Sequence, residues 1–431
     1  MNSIHMFKGA KKFWKIVGPG VVTGAADDDP SAIAAYSQAG AQFGYSQLWT
    51  ALVMLPFMVA IQEACGRIGA VTGKGLAAVM KDRYGRATLL ATVLIIVVAN
   101  TINIGADLGA MAASAQLVIP LPFAVLALGF TAVILILEIF LSYRSYASVL
   151  KWFALALLAY PVTVFFASQP WGEIARATFV PHIELTFPFL FIFTGVLGTT
   201  ISPYMFFWQA SEEVEEEKAK HMFHNGVLHL SERFLKNLKM DTFIGMFISQ
   251  ASTWCIIVVA ATVLHANGIT NINSAADAAA ALEPLVSGFP NAGLLAKLIF
   301  AIGVVGLGLV SVPVLSASAS YALSETLNWK EGLNLKLKKA HGFYGVITIA
   351  TLIGLSINFL GIDPMKALIY TSVLNGLASV PLLFFVARIA ESPTIMGAHV
   401  SSPLSRAFVW GTFAIMTIAA VCMALSYVRG A

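Results

Sequence analysis

Apolar residues fill the chain in long segments, and short polar stretches separate these segments from one another. A helix needs roughly 20 consecutive, mainly apolar residues to cross a lipid bilayer. By that criterion the pattern predicts an all-α polytopic membrane protein with eleven transmembrane helices. The predicted helices cover residues 14–41, 46–66, 88–112, 119–140, 148–168, 187–210, 241–264, 292–324, 344–360, 364–388 and 406–428.

Composition agrees with that prediction. Apolar residues make up 58% of the chain and charged residues 11%, whereas soluble domains have about a quarter of their residues charged. The chain shows neither a set of nucleophile, base and orienting residue nor a cofactor motif, so we predict that it is not an enzyme and needs no cofactor. The net charge of +4 gives no indication of nucleic-acid binding. The first predicted partner is the lipid bilayer in which the helices lie.

Lysine and arginine residues concentrate in alternate loops, which predicts the orientation in the membrane. If the N-terminus is cytoplasmic, all but four of the 26 lie on the cytoplasmic side. We therefore expect a multi-pass protein of the cell membrane with its N-terminus inside and its C-terminus outside. The four exceptions are Arg176, Lys297, Lys366 and Arg429.

The first predicted helix contains three consecutive carboxylates, Asp27, Asp28 and Asp29, directly before Pro30. A charged side chain near the bilayer centre costs at least about 2.5 kcal/mol, so such residues usually belong to a site or a pathway. Proline cannot donate a backbone hydrogen bond, and irregular backbone at this depth must line a cavity. We predict a broken helix beside a cavity; an acidic loop at the membrane surface is the alternative.

The sixth predicted helix is interrupted in the same way by the run Gly198-Thr199-Thr200-Ile201-Ser202-Pro203. A simple proline kink is the alternative, but the interruption falls five helices after the first one. Two broken helices at corresponding positions are typical of transporters with inverted repeats and a site at the membrane midplane. We therefore predict two inverted five-helix repeats, helices 1–5 and 6–10. Their predicted bounds are residues 1–168 and 187–388, with a cytoplasmic loop at 211–240 and an additional helix at 406–428.

The third predicted helix carries Asn100, Asn103 and Asp107 at spacings of three and four. These spacings place the three polar groups on one face of the helix, which must contact protein or water because lipid offers no hydrogen bonds. Asp107 could belong to an ion pathway or form a hydrogen bond to a neighbouring helix.

Two other polar features have less specific interpretations. Glu63 and Arg67 lie one helical turn apart, which predicts an ion pair and leaves a role in a gate open.

The stretch 211–239 contains six glutamates and three histidines. We interpret its start as a solvated helix with alternating charges, and not as a metal site.

Oxygen atoms dominate the side chains near the two breaks. A carboxylate, hydroxyls, freed backbone carbonyls and a neutral face of helix ten favour a hard cation. A carboxylate substrate is disfavoured, because it would need helix N-termini without neighbouring acids. The predicted metal-site residues are Asp29, Ala26, Ser31, Thr199, Ser202, Ser372 and Asn375, and the predicted pathway or vestibule residues are Asp27, Asp28, Asn103, Asp107 and Tyr204. Asp27 and Asp28 are expected to raise the cation concentration in an outer vestibule.

Several short motifs resemble the NRAMP (natural resistance-associated macrophage protein) family of divalent-metal transporters. The resemblance covers essentially the whole chain and implies an eleven-helix fold with inverted repeats. The matching motifs are Gly18-Pro19-Gly20, Asp29-Pro30, Gln38-Ala39-Gly40-Ala41, Ala106-Asp107-Leu108, the run from Gly198 to Pro203, and Val312-Pro313-Val314-Leu315.

The chain departs from this family at the motifs that hold the metal. The family's Asp-Pro-Gly-Asn reads Asp29-Pro30-Ser31-Ala32 here, and its Met-Pro-His-Asn reads Ser202-Pro203-Tyr204-Met205. A hydroxyl therefore replaces the thioether that suits a transition metal. The chain also has fewer titratable side chains than the family at these positions. The family often has an acidic residue three positions after the one that matches Asp107, and this residue is Ala110 here.

These departures resemble the NRAMP-related magnesium transporters. They imply alternating-access transport of Mg²⁺, with Mn²⁺ tolerated and without obligatory proton coupling. The predicted partners are therefore divalent metal ions and the lipid bilayer. A proton-coupled importer of Mn²⁺ or Fe²⁺ is the first alternative, and an ion channel or ion sensor is the second.

Overall fold

The structure, a computed structural model, describes residues 19–140, 158–167, 169–224, 227–228 and 230–429. Apart from turns and loops, the described chain consists of helices and one short antiparallel strand pair, β1 (Phe223–His224) with β2 (Val227–Leu228). The helices are α1 (Pro19–Asp27), α2 (Pro30–Phe43), α3 (Trp49–Thr72), α4 (Leu76–Arg83), α5 (Arg86–Ala115), α6 (Phe123–Phe140), α7 (Ala159–Phe166), α8 (Trp171–Phe179), α9 (Phe187–Thr200), α10 (Pro203–Ala219), α11 (Glu232–Val263), α12 (Ala275–Ala280), α13 (Glu283–Val286), α14 (Ala292–Leu327), α15 (His341–Ile357), α16 (Pro364–Ala390), α17 (Pro393–Met396) and α18 (Pro403–Arg429).

Within the described residues, eight segments are long and apolar enough to cross a membrane. One of them combines α9 and α10, and the shorter apolar helix α15 has 17 residues. The predicted helix at 148–168 lies largely outside the described residues, as do residues 14–18 and the basic N-terminus. The all-helical polytopic fold is confirmed, while the count of eleven helices and the bounds of the two repeats stay predictions.

Both predicted breaks are present. The first separates α1 from α2 at Asp28 and Asp29, and the second separates α9 from α10 at Ile201 and Ser202. In each case a proline occupies the first position of the following helix, where its missing N–H is not needed. Asp29 and Ser202 therefore lie at corresponding positions, each as the residue before a helix N-terminus.

The two broken helices pack crosswise, since α1 contacts α10 and α2 contacts α9. Two glycines permit close approach of the surrounding helices. A Cβ atom at Gly24 would collide with the backbone of Gly245 in α11, and one at Gly198 would collide with the backbone of Ser372 and Gly376 in α16. Small residues are typical of such contacts between membrane helices, and here they bring α11 and α16 against the breaks.

The polar stretch after the second break differs from its prediction. Helix α10 continues to Ala219, and α11 begins at Glu232, so the loop is much shorter than residues 211–240. The interpretation of its start as a solvated helix is wrong, because Glu213 and Glu217 are 1% and 0% exposed. The physical reason is packing: α10 lies against α3 and α14, which cover its acidic residues.

The predicted ion pair on α3 is present. Arg67 Nε lies 2.8 Å from Glu63 Oε1. Arg67 also donates to the carbonyl oxygen of His399 and to Ser401 Oγ. The pair therefore ties α3 to the segment before α18, and its role in a gate stays a prediction.

Candidate metal site at the helix breaks

Asp29 is the centre of the hydrogen-bond network at the first break. Its side chain caps α2 by accepting the backbone N–H of Ala32 at 2.8 Å, and Ser31 Oγ donates to the same oxygen at 2.6 Å. Aspartate is among the best residues for capping a helix N-terminus. The residue is only 1% exposed, and none of the ion pairs among the described residues involves it. The break thus encloses a carboxylate that has no basic partner.

Two side chains from other helices reach the second oxygen of this carboxylate. Asn103 on α5 donates from Nδ2 to Asp29 Oδ2 at 3.3 Å, and the Tyr204 hydroxyl lies 3.4 Å from the same atom. Tyr204 also donates to the carbonyl oxygen of Ala26 at 2.9 Å. With Ser31, the structure therefore brings together five of the predicted residues, and Ala26 contributes its backbone carbonyl.

The second break presents hydroxyl and carbonyl oxygens. Ser202 Oγ donates to the carbonyl oxygens of Gly198 and Thr199, both at 2.8 Å, and Thr199 Oγ1 donates to that of Val196 at 3.0 Å. Since each hydroxyl proton points back into α9, the lone pairs of Ser202 and Thr199 stay available as acceptors. Both residues are 1% exposed.

Helix α16 adds the two predicted neutral residues. Ser372 Oγ donates to the carbonyl oxygen of Leu368 in its own helix at 2.8 Å and shares this proton with the carbonyl oxygen of Ser31 at 3.1 Å, which brings α16 to the first break. Asn375 lies one turn further along and is fully buried, yet neither atom of its amide group has a hydrogen-bond partner. Buried polar groups in proteins are nearly always bonded, so this amide is free to bind a ligand or its water.

Asp107 is hydrogen-bonded to a neighbouring helix. Ser311 on α14 donates to its Oδ2 at 2.7 Å, while its Oδ1 has no partner. Asn100, Asn103 and Asp107 are all 0% exposed, which confirms that this face of α5 points into the protein. The pathway role of Asp107 stays a prediction.

Asp27 and Asp28 do not line an open vestibule in this structure. They are 0% and 1% exposed, and both contact Ser249 of α11, at 2.5 and 3.3 Å. The cause is the close packing of α11 on Gly24 described above. Because buried charges are little affected by salt, this placement gives no support to the expected enrichment of cations, and their pathway role stays a prediction.

The prediction missed three hydroxyl residues. Tyr36 bonds to Thr200 at 3.1 Å and so connects α2 with the end of α9, and Ser249 and Ser311 partner the buried carboxylates. Only Tyr36 had a signal in the sequence: it follows Asp29, the residue before α2, by seven residues, which places it two helical turns further on the same side. The serines belong to distant helices, so spacing along the chain could not identify them.

The donor set suits an ion that keeps part of its water. Within the described part of the chain, no three acidic, histidine or cysteine side chains converge as a metal-binding group. One buried carboxylate, several hydroxyls, carbonyls and an unbonded amide therefore make up the candidate site. Mg²⁺ dehydrates reluctantly and usually binds through one or two carboxylates while it retains several waters.

Comparison with known proteins identifies the family. The family model described as natural resistance-associated macrophage protein-like matches residues 20–426. A divalent metal cation transporter MntH of Caldanaerobacter subterraneus is 26% identical over 411 residues, which cover 91% of each chain. A protein of the same name from Klebsiella pneumoniae is 27% identical over 413 residues, covering 93% of this chain and 91% of the relative.

Solved structures show the same fold. The manganese transporter of Eremococcus coleocola, in complex with an aromatic bis-isothiourea substituted compound, aligns with a TM-score of 0.75 at 14% identity. That alignment covers 94% of this chain and 86% of the transporter. Mhp1, a nucleobase-cation-symport-1 family transporter, aligns with a TM-score of 0.56 at 13% identity and covers 95% and 93% of the two chains. Because the family model spans nearly the whole sequence, the chain belongs to the natural resistance-associated macrophage protein (Nramp) family of membrane proteins.

Proposed function

We propose that the protein carries divalent metal cations across the cell membrane by alternating access, with Mg²⁺ favoured and Mn²⁺ also accepted. The family and the similarity to divalent metal cation transporters support the general class of activity. The distribution of lysine and arginine supports an N-terminus on the cytoplasmic side and a C-terminus outside.

One observation carries the preference for Mg²⁺: among the described residues, the buried carboxylate of Asp29 accepts hydrogen bonds only from hydroxyl and amide groups. Its hydrogen-bond partners are Ser31, the Ala32 backbone, Asn103 and Tyr204. Sulfur and imidazole ligands favour transition metals, whereas oxygen ligands and water suit Mg²⁺ and Mn²⁺. The hydroxyl at position 202, where the related motif has methionine, extends the oxygen character to the second break.

Burial supports alternating access. Asp29, Ser202 and Asn375 are each at most 1% exposed, so an ion at the breaks has no open route to either side in this conformation. An ion can then reach the site or leave it only if helices around the breaks move, one side at a time. The short helix α1 is suited to such a movement, because the first break separates it from α2.

Uptake into proteoliposomes tests the proposed function. We expect saturable Mg²⁺ uptake that Mn²⁺ inhibits competitively, since both ions would occupy one site. The preference for Mg²⁺ would be contradicted if the protein takes up Mn²⁺ but not Mg²⁺, and if Mg²⁺ does not inhibit that uptake. Non-saturating flux would support an ion channel instead, and binding without flux would support a sensor.

A proton-coupled importer of Mn²⁺ or Fe²⁺ is the second candidate, and Asp107 is the observation that favours it. This buried carboxylate has one oxygen without a partner and could carry a proton. Proton coupling also needs a relay of titratable groups. The position three residues later is alanine, and the family's histidine is Tyr204, so we propose that transport is not coupled to protons.

We therefore expect Mg²⁺ influx into liposomes to proceed without acidification of the interior. An imposed pH gradient should not drive Mg²⁺ against its own gradient. Asp107→Asn should keep Mg²⁺ flux within about threefold of wild type, because an amide oxygen can still accept the Ser311 hydrogen bond. A pH-sensitive dye inside the liposomes and a Mg²⁺ indicator measure both quantities together.

Glu138→Gln is the matched control for this experiment. Glu138 is a second buried carboxylate that accepts a hydrogen bond from a serine of α14, Ser316, at 2.6 Å. Acidification that follows Mg²⁺ flux in wild type and in the Glu138 variant, but disappears in Asp107→Asn, would establish proton coupling through Asp107.

A further inference from the structure

A cavity of about 600 Å³ lies at one end of the helix bundle, away from the helix breaks. It is formed where α4 ends, where α16 ends and where α18 begins. Three arginines line it, Arg83, Arg388 and Arg406, together with Glu391 as the single acidic lining residue in the described chain. The lysine and arginine distribution assigns this end to the cytoplasmic side.

The charges in this cavity do not balance. Glu391 lies 2.8 Å from Arg388 Nη1 and 4.0 Å from Arg406 Nε. Arg83 donates to the neutral hydroxyl of Thr394. Three guanidinium groups against one carboxylate leave an excess of positive charge, and the side chains of Arg388 and Arg406 stay about half exposed, at 56% and 49%. The cavity can therefore accept an anion.

Aromatic and apolar side chains continue from the cavity along the bundle surface. Tyr84 lines the cavity, and Trp410 donates to Glu391 Oε2 at 3.2 Å. Tyrosine and tryptophan with a polar contact at one end are typical of the interface between lipid and water. Phe384 lies one turn before Arg388 in α16 and is 39% exposed, and Leu404 at the start of α18 is 68% exposed. The ring of Phe384 contacts that of Trp410, with the centroids 5.9 Å apart, so exposed apolar surface adjoins the aromatic side of the cavity.

We propose that this cavity binds the head group of an anionic phospholipid. Guanidinium groups pair bidentately with phosphate oxygens, and basic pockets between membrane helices on the cytoplasmic side suit such head groups. The exposed apolar surface beside the arginines favours a lipid over a soluble phosphate, because it offers a place for the acyl chains.

Lipid retention by the purified full-length protein tests this proposal. The protein is reconstituted in nanodiscs of phosphatidylcholine with a minor fraction of phosphatidylglycerol, extracted in mild detergent and analysed by native mass spectrometry. Arg388→Gln and Arg406→Gln should each weaken phosphatidylglycerol retention about fivefold, which corresponds to about 1 kcal/mol for each basic residue. Glu391→Gln should strengthen it, because the competing carboxylate is removed while an acceptor for Trp410 remains.

Arg233→Gln is the matched control, since Arg233 is an exposed arginine of α11 outside the cavity lining, and the lysine and arginine distribution assigns it to the same cytoplasmic side. It should leave retention unchanged. An equal loss in this control would show a general effect of surface charge and overturn the proposal, as would unchanged retention in the Arg388 and Arg406 variants.

Soluble glycerol 3-phosphate should not raise the melting temperature of the protein. If glycerol 3-phosphate raises the melting temperature as much as phosphatidylglycerol does, the cavity is a site for soluble phosphate and the lipid assignment is wrong.

Discussion

Replacement of Asp29 by asparagine is expected to reduce Mg²⁺ transport by more than about 100-fold. Loss of a residue that only supports a metal ligand already costs about 10-fold to 100-fold, and Asp29 is proposed as a ligand itself. Asparagine also caps helix N-termini well, so α2 should keep its start. The variant loses the charge at the centre of the network, and the remaining carboxylates of Asp27 and Asp28 face Ser249 of α11, so they do not offset the dehydration of a divalent ion at this position. Initial rates of Mg²⁺ uptake into proteoliposomes, normalised to the amount of folded protein, give the ratio.

A second Asp-Pro pair in the chain provides the control. Asp363 caps α16 by accepting the backbone N–H groups of Met365 and Lys366, at 3.0 and 3.1 Å, directly before Pro364. Asp363→Asn makes the same chemical change at an exposed helix start away from the breaks, and transport should stay near the wild-type rate. Wild-type flux in Asp29→Asn, or an equal loss in both variants, would contradict the assignment of Asp29 as the central ligand.

The two breaks could be predicted because their causes are local. A proline inside an apolar segment removes a backbone donor, and carboxylates at that depth must face protein or water. These facts are visible in the sequence at Asp29-Pro30 and Ser202-Pro203, and the structure places each break there. The stripe of polar residues on α5 was predictable for the same reason, since helical spacing alone determines which side chains share a face.

The partners of these residues could not be predicted, because they come from helices far apart in the sequence. Asn103 reaches Asp29 across 74 positions and Ser311 reaches Asp107 across 204. Those contacts depend on how closely the helices approach, which glycines such as Gly24 permit but do not specify. The burial of Asp27 and Asp28 against α11 depends on the same approach, so spacing along the chain could not indicate their contacts with Ser249.

The acidic start of the polar stretch is buried for a reason that its composition does not show. Alternating glutamates and lysines usually indicate a solvated helix, yet Glu213 accepts a hydrogen bond from Gln209 at 2.9 Å inside the protein. Gln209 Oε1 in turn accepts the Thr23 hydroxyl of α1. A hydrogen-bonded chain therefore joins α10 to the first broken helix, which composition alone could not indicate.

Replacement of Ser202 by methionine is expected to change ion selectivity. Ser202 precedes α10 at the second break, and its oxygen accepts no hydrogen bond from its own helix, so the side chain at this position is available to an ion. A thioether binds Mg²⁺ poorly and transition metals well. The ratio of Mn²⁺ to Mg²⁺ uptake should therefore rise about tenfold, which requires about 1.4 kcal/mol of differential affinity.

Ser202→Leu separates the effect of sulfur from the effect of size, because leucine and methionine have similar volumes. Leucine also removes the two hydrogen bonds to the carbonyls of Gly198 and Thr199, so any loss of flux from a disturbed break should be the same in both variants.

We expect the leucine variant to lose transport of both ions in proportion, whereas the methionine variant should retain Mn²⁺ and gain Cd²⁺ transport at the expense of Mg²⁺. Competition assays with the three ions measure the selectivity of each variant at equal protein density. If the methionine and leucine variants show the same ratio of Mn²⁺ to Mg²⁺ uptake, the side chain at position 202 does not contact the transported ion, and the oxygen site is confined to the first break and α16.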